Sequence, residues 1–170
     1  MNPYFSNNQP HSSYTLPCNP RSKRQRRNEQ PSQQLRDYGP YPFAIDIEKA
    51  TKANTNFRTA LWTGPHLQLT LMSLQPGEDI GLEQHNNLDQ FIRLEQGRGM
   101  VMMGDNPNSP SFQQVVTDGD AFIIPAGTWH NLTNIGNVPI RLYSIYAPVQ
   151  HPFGTVHVTK EDAEAAEKQR

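Results

Sequence analysis

The chain has 170 residues, of which 35% are hydrophobic, and a formal net charge of −1 at pH 7. This length predicts one folded domain with an appendage, and the small net charge argues against a protein that binds nucleic acid through its whole surface. The only cysteine is Cys18, which excludes an intrachain disulfide. The sequence shows neither the apolar core of a signal peptide near Met1 nor the roughly 20 consecutive apolar residues of a membrane span, so we expect a cytoplasmic protein.

Residues 1–38 differ in composition from the rest of the chain. They are rich in Asn, Gln, Ser, Pro and Arg and carry six basic against two acidic residues, whereas residues 39–170 carry nine against fourteen. Their few aliphatic side chains cannot offset the ~1–2 kcal/mol per residue that backbone ordering costs, so we predict a disordered tail that contributes little to stability. The basic cluster at residues 21–27 is either a solubilising segment or an anchor for an acidic partner or an assembly surface.

A Gly- and Pro-containing linker at residues 38–42 marks the start of a predicted domain over residues 39–160. Residues 45–53 are compatible with a short helix or an irregular cover. Predicted strands follow at residues 57–63, 66–72, 90–95, 100–103, 112–116, 121–124 and 138–147. Short strands separated by Gly, Pro and Asn predict an all-β sandwich or barrel. The final segment, residues 161–170, is predicted to form a short exposed helix, because Thr159 and Asp162 match a capping box.

Two segments that are remote in sequence carry polar side chains where a strand should face the interior. Glu83 and His85 stand two apart in an extended segment, so both side chains leave the same face. Gln90 occupies the apolar face of the strand at residues 90–95. His130 follows a Pro-Ala-Gly turn and begins the next strand. These four residues are the candidate ligands of one metal ion.

Two imidazoles and one carboxylate form a donor set that leaves coordination positions open to substrate or water. Glu83, His85 and His130 supply this set, and Gln90 would add a neutral oxygen donor. With one carboxylate, a divalent ion keeps a net charge of +1, so it can polarise a carbonyl or lower the pKa of a bound water. Fe, Mn, Zn and Ni are all compatible. The alternative is that His130 is an ordinary core histidine with hydrogen-bonded nitrogens.

An inward-facing carboxylate such as that of Glu83 needs a compensating cation or a raised pKa, and a metal ion would provide this compensation. Arg93 is the rival cation. Strand alternation, however, places Arg93 on the face opposite Gln90.

The spacing of these residues resembles that of a known family, the cupin superfamily. Two segments resemble the two cupin motifs. The first is Gly77-x5-Glu83-x-His85-x4-Gln90-x6-Gly97, and the second is Gly119-x5-Pro125-x-Gly127-x2-His130-x3-Asn134. The second motif matches at every fixed position. In the first, Glu83 stands where the family has a histidine and Gln90 where it has a glutamate. The chain resembles a group of small bacterial single-domain cupins, and this resemblance implies a jelly-roll barrel with the site in its mouth and a homodimer.

Four further residues are candidates for a substrate pocket, namely Tyr143, Tyr146, Trp129 and His151. The two tyrosines lie on opposite faces of the predicted strand at residues 138–147, so at most one faces the interior, and each alone can be an ordinary core or outer-face tyrosine. His151 either closes the barrel mouth, contacts a neighbouring subunit or is a surface histidine.

Two classes of function follow. The first is an enzyme with one divalent metal ion that acts on a small oxygen-bearing molecule. Cupins that the chain resembles include sugar-phosphate isomerases, lyases and dioxygenases, and we favour isomerase or lyase chemistry over dioxygenase chemistry. The second is a non-catalytic module that binds a small ligand and is attached to a larger assembly through its basic tail. The long tail and the altered ligand set favour this second class.

Overall fold

The structure is a computed structural model that describes residues 34–168, so the predicted basic cluster at residues 21–27 lies outside the described residues. In chain order the elements are α1 (Ile47–Ala53), β1 (Arg58–Thr63), β2 (Gln68–Leu74), β3 (Glu83–Gln84), β4 (Asp89–Gln96), β5 (Gly99–Gly104), β6 (Phe112–Val116), β7 (Ala121–Ile124), β8 (Trp129–Asn134), β9 (Ile140–Ala147), β10 (Val156–His157) and α2 (Lys160–Glu167). Neither helix in this part of the chain is long and apolar enough to cross a membrane.

The strands form two antiparallel sheets. The order is β10-β1-β2-β9-β4-β7 in the six-stranded sheet and β3-β8-β5-β6 in the four-stranded sheet. Strands that are far apart in sequence are neighbours, since β9 lies between β2 and β4 and pairs with both in antiparallel fashion. This arrangement is typical of a jelly roll rather than of a simple meander. The predicted all-β jelly-roll barrel is therefore confirmed.

The strand signals in the sequence located most of the strands. β6 and β7 coincide with the predicted ranges, and β1, β2, β4, β5 and β9 begin and end within two residues of theirs. β10 was not predicted. It consists of two residues that pair with the start of β1, with Val156 opposite Thr59, and so short a segment carries no periodic signal.

The alternation along β2 shows which side chains face the barrel interior. Leu71 belongs to an apolar cluster on the outer side of the six-stranded sheet, whereas Met72 belongs to the cluster between the sheets. By alternation Gln68 and Thr70 share the inner face with Met72, and both are fully buried. One end of the interior is therefore lined by polar side chains of this strand.

An apolar cluster, which we call the inner cluster, fills the rest of the interior with side chains from both sheets. It consists of Phe57, Met72, Leu74, Ile80, Ile92, Leu94, Val101, Val116, Phe122, Ile124, Leu132, Ile140, Leu142 and Ala163. Full burial of a Leu, Ile or Val side chain contributes about 1.5–3 kcal/mol each. The inner cluster is thus a main source of stability for the fold, and the polar end of the barrel is left for other roles.

The outer face of the six-stranded sheet is covered by α1 and the segment before it. α1 has Asp46 as its N-cap, whose carboxylate accepts a hydrogen bond from the Lys49 N–H at 3.1 Å. The helical alternative for residues 45–53 is therefore confirmed. The apolar contacts of this layer, which we call the outer cluster, involve Leu35, Tyr38, Phe43, Ile45, Ile47, Ala50, Leu61, Leu69, Leu71 and Tyr143.

The last residues of the predicted tail belong to this layer. The N–H of Tyr38 donates to the carbonyl of Leu61 at 2.9 Å, and the carboxylate of Asp37 accepts from the hydroxyl of Thr63 at 2.6 Å. These contacts differ from the expectation that the whole tail contributes little to the stability of the domain. We therefore propose a domain boundary immediately before Gln34.

α2 follows β10 and contacts it at the edge of the six-stranded sheet. The predicted capping box is confirmed, because the Thr159 hydroxyl accepts from the Asp162 N–H and the Asp162 carboxylate accepts from the Thr159 N–H. The expectation of an exposed helix is wrong for one face, since Ala163 is buried in the inner cluster. The ammonium of Lys160 donates to Asp79, before β3, at 2.6 Å. The first turn of α2 is thereby tied to the four-stranded side of the barrel.

A chain that starts at Gly39 is expected to be less stable than a chain that starts at Gln34. Loss of the hydrogen bonds and apolar contacts of residues 35–38 should cost about 2–4 kcal/mol, which lowers the melting temperature by roughly 5–15 °C. Thermal unfolding of both chains, followed by circular dichroism, measures this difference. Equal melting temperatures would contradict the proposed boundary.

The ion pair between Lys160 and Asp79 is expected to make stability depend on pH. Partial burial raises the pKa of Asp79, but the bonds from Lys160 and from the Gly81 N–H lower it below its ordinary value. A lowered pKa gives stability that is present above the unfolded pKa of about 3.9 and is lost as the pH falls through the folded pKa. Lys160→Met should therefore have a lower melting temperature than the wild type at neutral pH, and this difference in melting temperature should become smaller at acidic pH.

Melting curves across the acidic range test this expectation. The matched control is Lys168→Met, which removes the same charge from an exposed position at the end of α2 and should leave the curves unchanged. A gap between wild type and Lys160→Met that stays constant with pH would show that the ion pair is not its source.

Candidate metal centre

Glu83 and His130 are brought together by strand pairing. β3 pairs with β8 in a register that sets Glu83 directly opposite His130. Side chains opposite each other in an antiparallel pair lie on the same face, with Cβ atoms about 4.5–5.5 Å apart. Along β8, His130 is buried together with Leu132 of the inner cluster. Both candidate ligands therefore project towards the interior of the barrel.

The turn that precedes His130 is tied to the segment that carries His85. The N–H of Gly127 donates to the His85 carbonyl at 2.8 Å, and the side-chain amide of Gln84 donates to the Gly127 carbonyl at 2.8 Å. Gly127 has a φ of 79°, a conformation that residues with a side chain rarely adopt. These bonds hold the two motifs together, and the rings of His85 and His130 lie with their centroids 5.3 Å apart.

Glu83, His85 and His130 offer one ligand atom each within 4.8 Å of one another. Oε2 of Glu83 lies 3.3 Å from Nε2 of His85 and 3.9 Å from Nε2 of His130. The side chain of His130 is 1% exposed, whereas those of His85 and Glu83 are 11% and 16% exposed. The three ligand atoms thus surround a point that is deep on the His130 side and nearer to solvent on the side of Glu83 and His85.

The hydrogen bonding of His130 determines which of its nitrogens carries a lone pair towards the centre. Nδ1 lies 2.9 Å from the carbonyl oxygen of Thr128. A carbonyl only accepts, so Nδ1 carries the proton and Nε2 of the neutral ring is free to act as a ligand. Burial lowers the pKa of His130, which favours this neutral form at physiological pH.

The carboxyl group of Glu83 is held in its ionised form. Burial raises its pKa, but the interaction with His85 and the positive charge of Arg58 together bring the pKa below its ordinary value. An ionised carboxylate offers only lone pairs, and it faces the lone pair of His130 at 3.9 Å. Two acceptors that face each other in a buried site fit a cation between them, and the donor set suits a divalent transition metal.

Gln90 faces the same interior from the opposite sheet. It is 1% exposed, and its amide nitrogen donates to the hydroxyl of Ser144 at 2.9 Å. Its amide oxygen is buried and accepts no hydrogen bond from any residue in the described part of the chain. An orphaned carbonyl-type oxygen fits the role of an additional neutral ligand. The assignment of Gln90 as a ligand stays a prediction.

Two of the pocket candidates lie next to the centre. Tyr146 is 1% exposed, and its ring stands edge-on to His85 at 6.0 Å and to His151 at 5.1 Å. The backbone of His151 is fixed by Gln68, whose side chain accepts from the His151 N–H at 2.8 Å and donates to its carbonyl at 2.9 Å. His85, Tyr146 and His151 therefore form a row of aromatic side chains that leads away from the proposed ligands.

The structure places the other two pocket candidates outside the interior. Tyr143 packs in the outer cluster, with its ring 6.1 Å from that of Phe91. Trp129 is adjacent to His130 in β8 and therefore points to the opposite face of the strand. The structure thus does not bring Tyr143 and Trp129 together with the candidate ligands, and the physical reason in both cases is strand alternation.

Sequence reasoning missed one charged residue of the site, Arg58 at the start of β1. Its side chain is 1% exposed, and Nη2 lies 3.6 Å from Oε1 of Glu83. The rival cation, Arg93, is 40% exposed and pairs with Glu95 at 3.3 Å, so it faces away as expected. One sequence signal could have pointed to Arg58, namely that a buried Glu83 carboxylate needs a compensating cation. The sequence did not show which face of β1 is inside, because β1 is buried on both faces.

Comparison with known proteins places the chain in a family. A model of the cupin domain matches residues 70–146. The chain is 64% identical over 133 residues to the uncharacterized protein YrkC of Bacillus subtilis (strain 168), with 78% of this chain and 72% of that protein covered. It is 40% identical over 119 residues to the uncharacterized protein L612 of Acanthamoeba polyphaga mimivirus, with 69% and 72% covered.

Solved structures agree with this assignment. The crystal structure of BH2720 from Bacillus halodurans has a TM-score of 0.76 and 61% identity, and the match covers 77% of this chain and 99% of that one. A cupin superfamily protein from Desulfitobacterium hafniense has a TM-score of 0.50 at 18% identity, covers 65% and 94% of the two chains, and is similar in fold. The matched cupin domain spans all four candidate ligands, and together with the relatives it shows that the chain belongs to the cupin family.

Proposed function

We propose that this cupin is an enzyme that holds one divalent metal ion and uses it on a small oxygen-bearing molecule, by isomerase- or lyase-type chemistry. The observation that carries the proposal is the convergence of Glu83, His85 and His130, with ligand atoms within 4.8 Å of one another. The ionised carboxylate and the lone pair of neutral His130 face each other, and the unpaired oxygen of Gln90 supports a fourth, weaker ligand.

The residues of this chain divide into those that hold the ion and those that can serve the substrate. Glu83, His85 and His130 would hold it, and a bound divalent ion would supply Lewis-acid polarisation of a carbonyl or hydroxyl oxygen. Tyr146 adjoins His85 and His151 adjoins Tyr146, and neither belongs to the three-ligand group. A phenol and an imidazole are groups that the proton transfers of isomerisation and elimination use, which supports non-redox chemistry.

A second candidate function is a module that binds a small ligand and is attached to an assembly through residues 21–27. Its support is the neutral Gln90 at a position where the family has a carboxylate, since an amide is a weaker metal ligand. A dioxygenase is a third candidate, because two histidines and one carboxylate also suit Fe(II).

Homodimer formation and a cytoplasmic location are also proposals. The support for a homodimer is the exposure of large apolar side chains on edge strands, with Ile123 on β7 64% exposed and Val156 on β10 49% exposed. The support for the cytoplasm is the single cysteine in the sequence.

Elemental analysis of protein purified without added metal should find about one divalent ion per chain. Glu83→Ala and His130→Ala should each lose most of it, because each removes one of three strong ligands. Matched controls are Glu164→Ala on α2 and His66→Ala before β2, which remove the same side-chain types from exposed positions and should keep the metal. Substoichiometric metal that is the same in all variants would overturn the proposed enzyme.

Gln90→Glu should bind a divalent ion more tightly than the wild type, on the order of tenfold, because it adds a second carboxylate to the ligand set. Without metal the same variant should be less stable, since a further buried carboxylate then lacks a counter-charge. Calorimetric titration with Zn²⁺ and melting curves with and without the ion measure both effects. Gln114→Glu makes the same charge change on an exposed strand, and parallel behaviour of the two variants would argue against Gln90 as a ligand.

A substrate screen separates the reaction classes. Metal-loaded protein should turn over a small hydroxy- or oxo-compound equally well with and without oxygen, because isomerisation and elimination consume no oxidant. A reaction that needs oxygen would favour the dioxygenase, and binding without turnover would favour the ligand-binding module.

A further inference from the structure

Arg58 is a buried cation beside the candidate ligands, and the proposed function gives it no role. Its Nη2 lies 3.6 Å from Oε1 of Glu83, while Oε2 of the same carboxylate faces the imidazoles of His85 and His130. Arg58 is thus separated from the metal position by the width of one carboxylate group. A charge that is buried this close to a metal centre affects every ligand that binds there.

Part of the hydrogen-bonding capacity of Arg58 is unsatisfied within the described residues. Glu83 and Glu167 lie 3.6 and 3.7 Å from its terminal nitrogens, beyond the roughly 2.7–3.2 Å of an N–H···O bond. Within residues 34–168, Nε and Nη1 are buried and make no hydrogen bond. A guanidinium has five donors and no acceptor. Buried donors of this kind are costly until an acceptor oxygen reaches them.

Arg58 also changes the charge of the loaded centre. A divalent ion with Glu83 alone would carry +1, and the guanidinium of Arg58 adds a further positive charge, which Glu167, a half-exposed carboxylate 3.7 Å from Nη1, offsets only in part. The other polar side chains that are fully buried at this end of the barrel are neutral, among them Gln68, Gln90 and Ser144. In a partly buried site the interaction between charges is stronger than in water, so a centre with this charge favours a negatively charged ligand.

We propose that the metal centre binds a small oxyanion and that Arg58 is the residue that selects it, an inference that rests on the proposed function. The side of the centre nearest to solvent is that of Glu83 and His85, whose side chains are 16% and 11% exposed. The planar fork of a guanidinium matches the oxygens of a carboxylate or a phosphate. The substrate class of the proposed isomerase or lyase is therefore a small carboxylate or phosphate compound.

The test is oxyanion binding by the full-length, Co²⁺-loaded protein, followed by calorimetry and by the absorption spectrum of the bound ion. Acetate and inorganic phosphate are the probes, and ethylene glycol is the uncharged comparison. The wild type should bind at least one oxyanion in preference to the glycol. Arg58→Met should weaken oxyanion binding by about tenfold or more, the loss of one charge-assisted hydrogen bond. The probe that binds with the higher affinity shows which oxyanion the centre prefers.

Two further variants make the readout specific. Arg93→Met makes the same charge change at an exposed arginine on the outer face of β4 and should bind the probes like the wild type. Arg58→Lys keeps the charge without the planar fork, so its affinity should fall between those of the wild type and Arg58→Met. Metal content and melting temperature are measured for each variant, because a purely structural role of Arg58 would lower both together with oxyanion affinity.

The outcomes distinguish this inference from the proposed function. A wild type that binds no metal overturns both. A wild type that holds its metal and binds neither oxyanion overturns the inference about Arg58 alone, as does a metal-loaded Arg58→Met with wild-type affinity. If Arg58→Met loses its metal, the oxyanion affinity of Arg58→Lys is the deciding measurement. An affinity equal to that of the wild type in Arg58→Lys overturns the role of the guanidinium.

Discussion

The pairing of Glu83 with His130 across β3 and β8 is the constraint on which the site depends. It fixes an ionised carboxylate opposite the lone pair of a neutral imidazole, in a place that is nearly closed to water. Such an arrangement is unfavourable without a positive charge between or beside the two groups. Because β3 is only two residues long, the Gly127 turn and its bonds to Gln84 and His85 hold this register.

The two apolar clusters explain how the barrel tolerates a polar site. The inner cluster and the outer cluster bury apolar side chains on both faces of the six-stranded sheet, mainly on its central strands. Part of the interior can then carry Gln68, Thr70, Gln90, Ser144 and Tyr146 without loss of the fold. The layer formed by α1 and the segment before it is therefore part of the reason that the barrel can contain the polar candidate site.

The candidate ligands are supported by groups from several parts of the chain. Arg58 is contributed by β1, the backbone of His151 is held by Gln68 of β2, and Glu167 near the end of α2 lies 3.7 Å from Arg58. Groups behind the ligands orient them and set the charge of the site. The last helix, which begins at a capping box and buries Ala163, thus contacts a side chain behind the candidate metal ligands as well as the core.

The sequence alone determined most of the strand positions, the all-β class and the four candidate ligands, because period-two patterns, turn residues and motif spacing are local properties. The jelly-roll class came from the resemblance to cupins. The sequence also determined that Tyr143 and Tyr146 lie on opposite faces of β9. Which of those faces is the interior was decided only by the tertiary structure, since alternation is symmetric until a sheet packs on a partner. For the same reason, the sequence did not show that Arg58 belongs to the site. Its strand is buried on both faces, so only the folded barrel shows that the guanidinium points to Glu83.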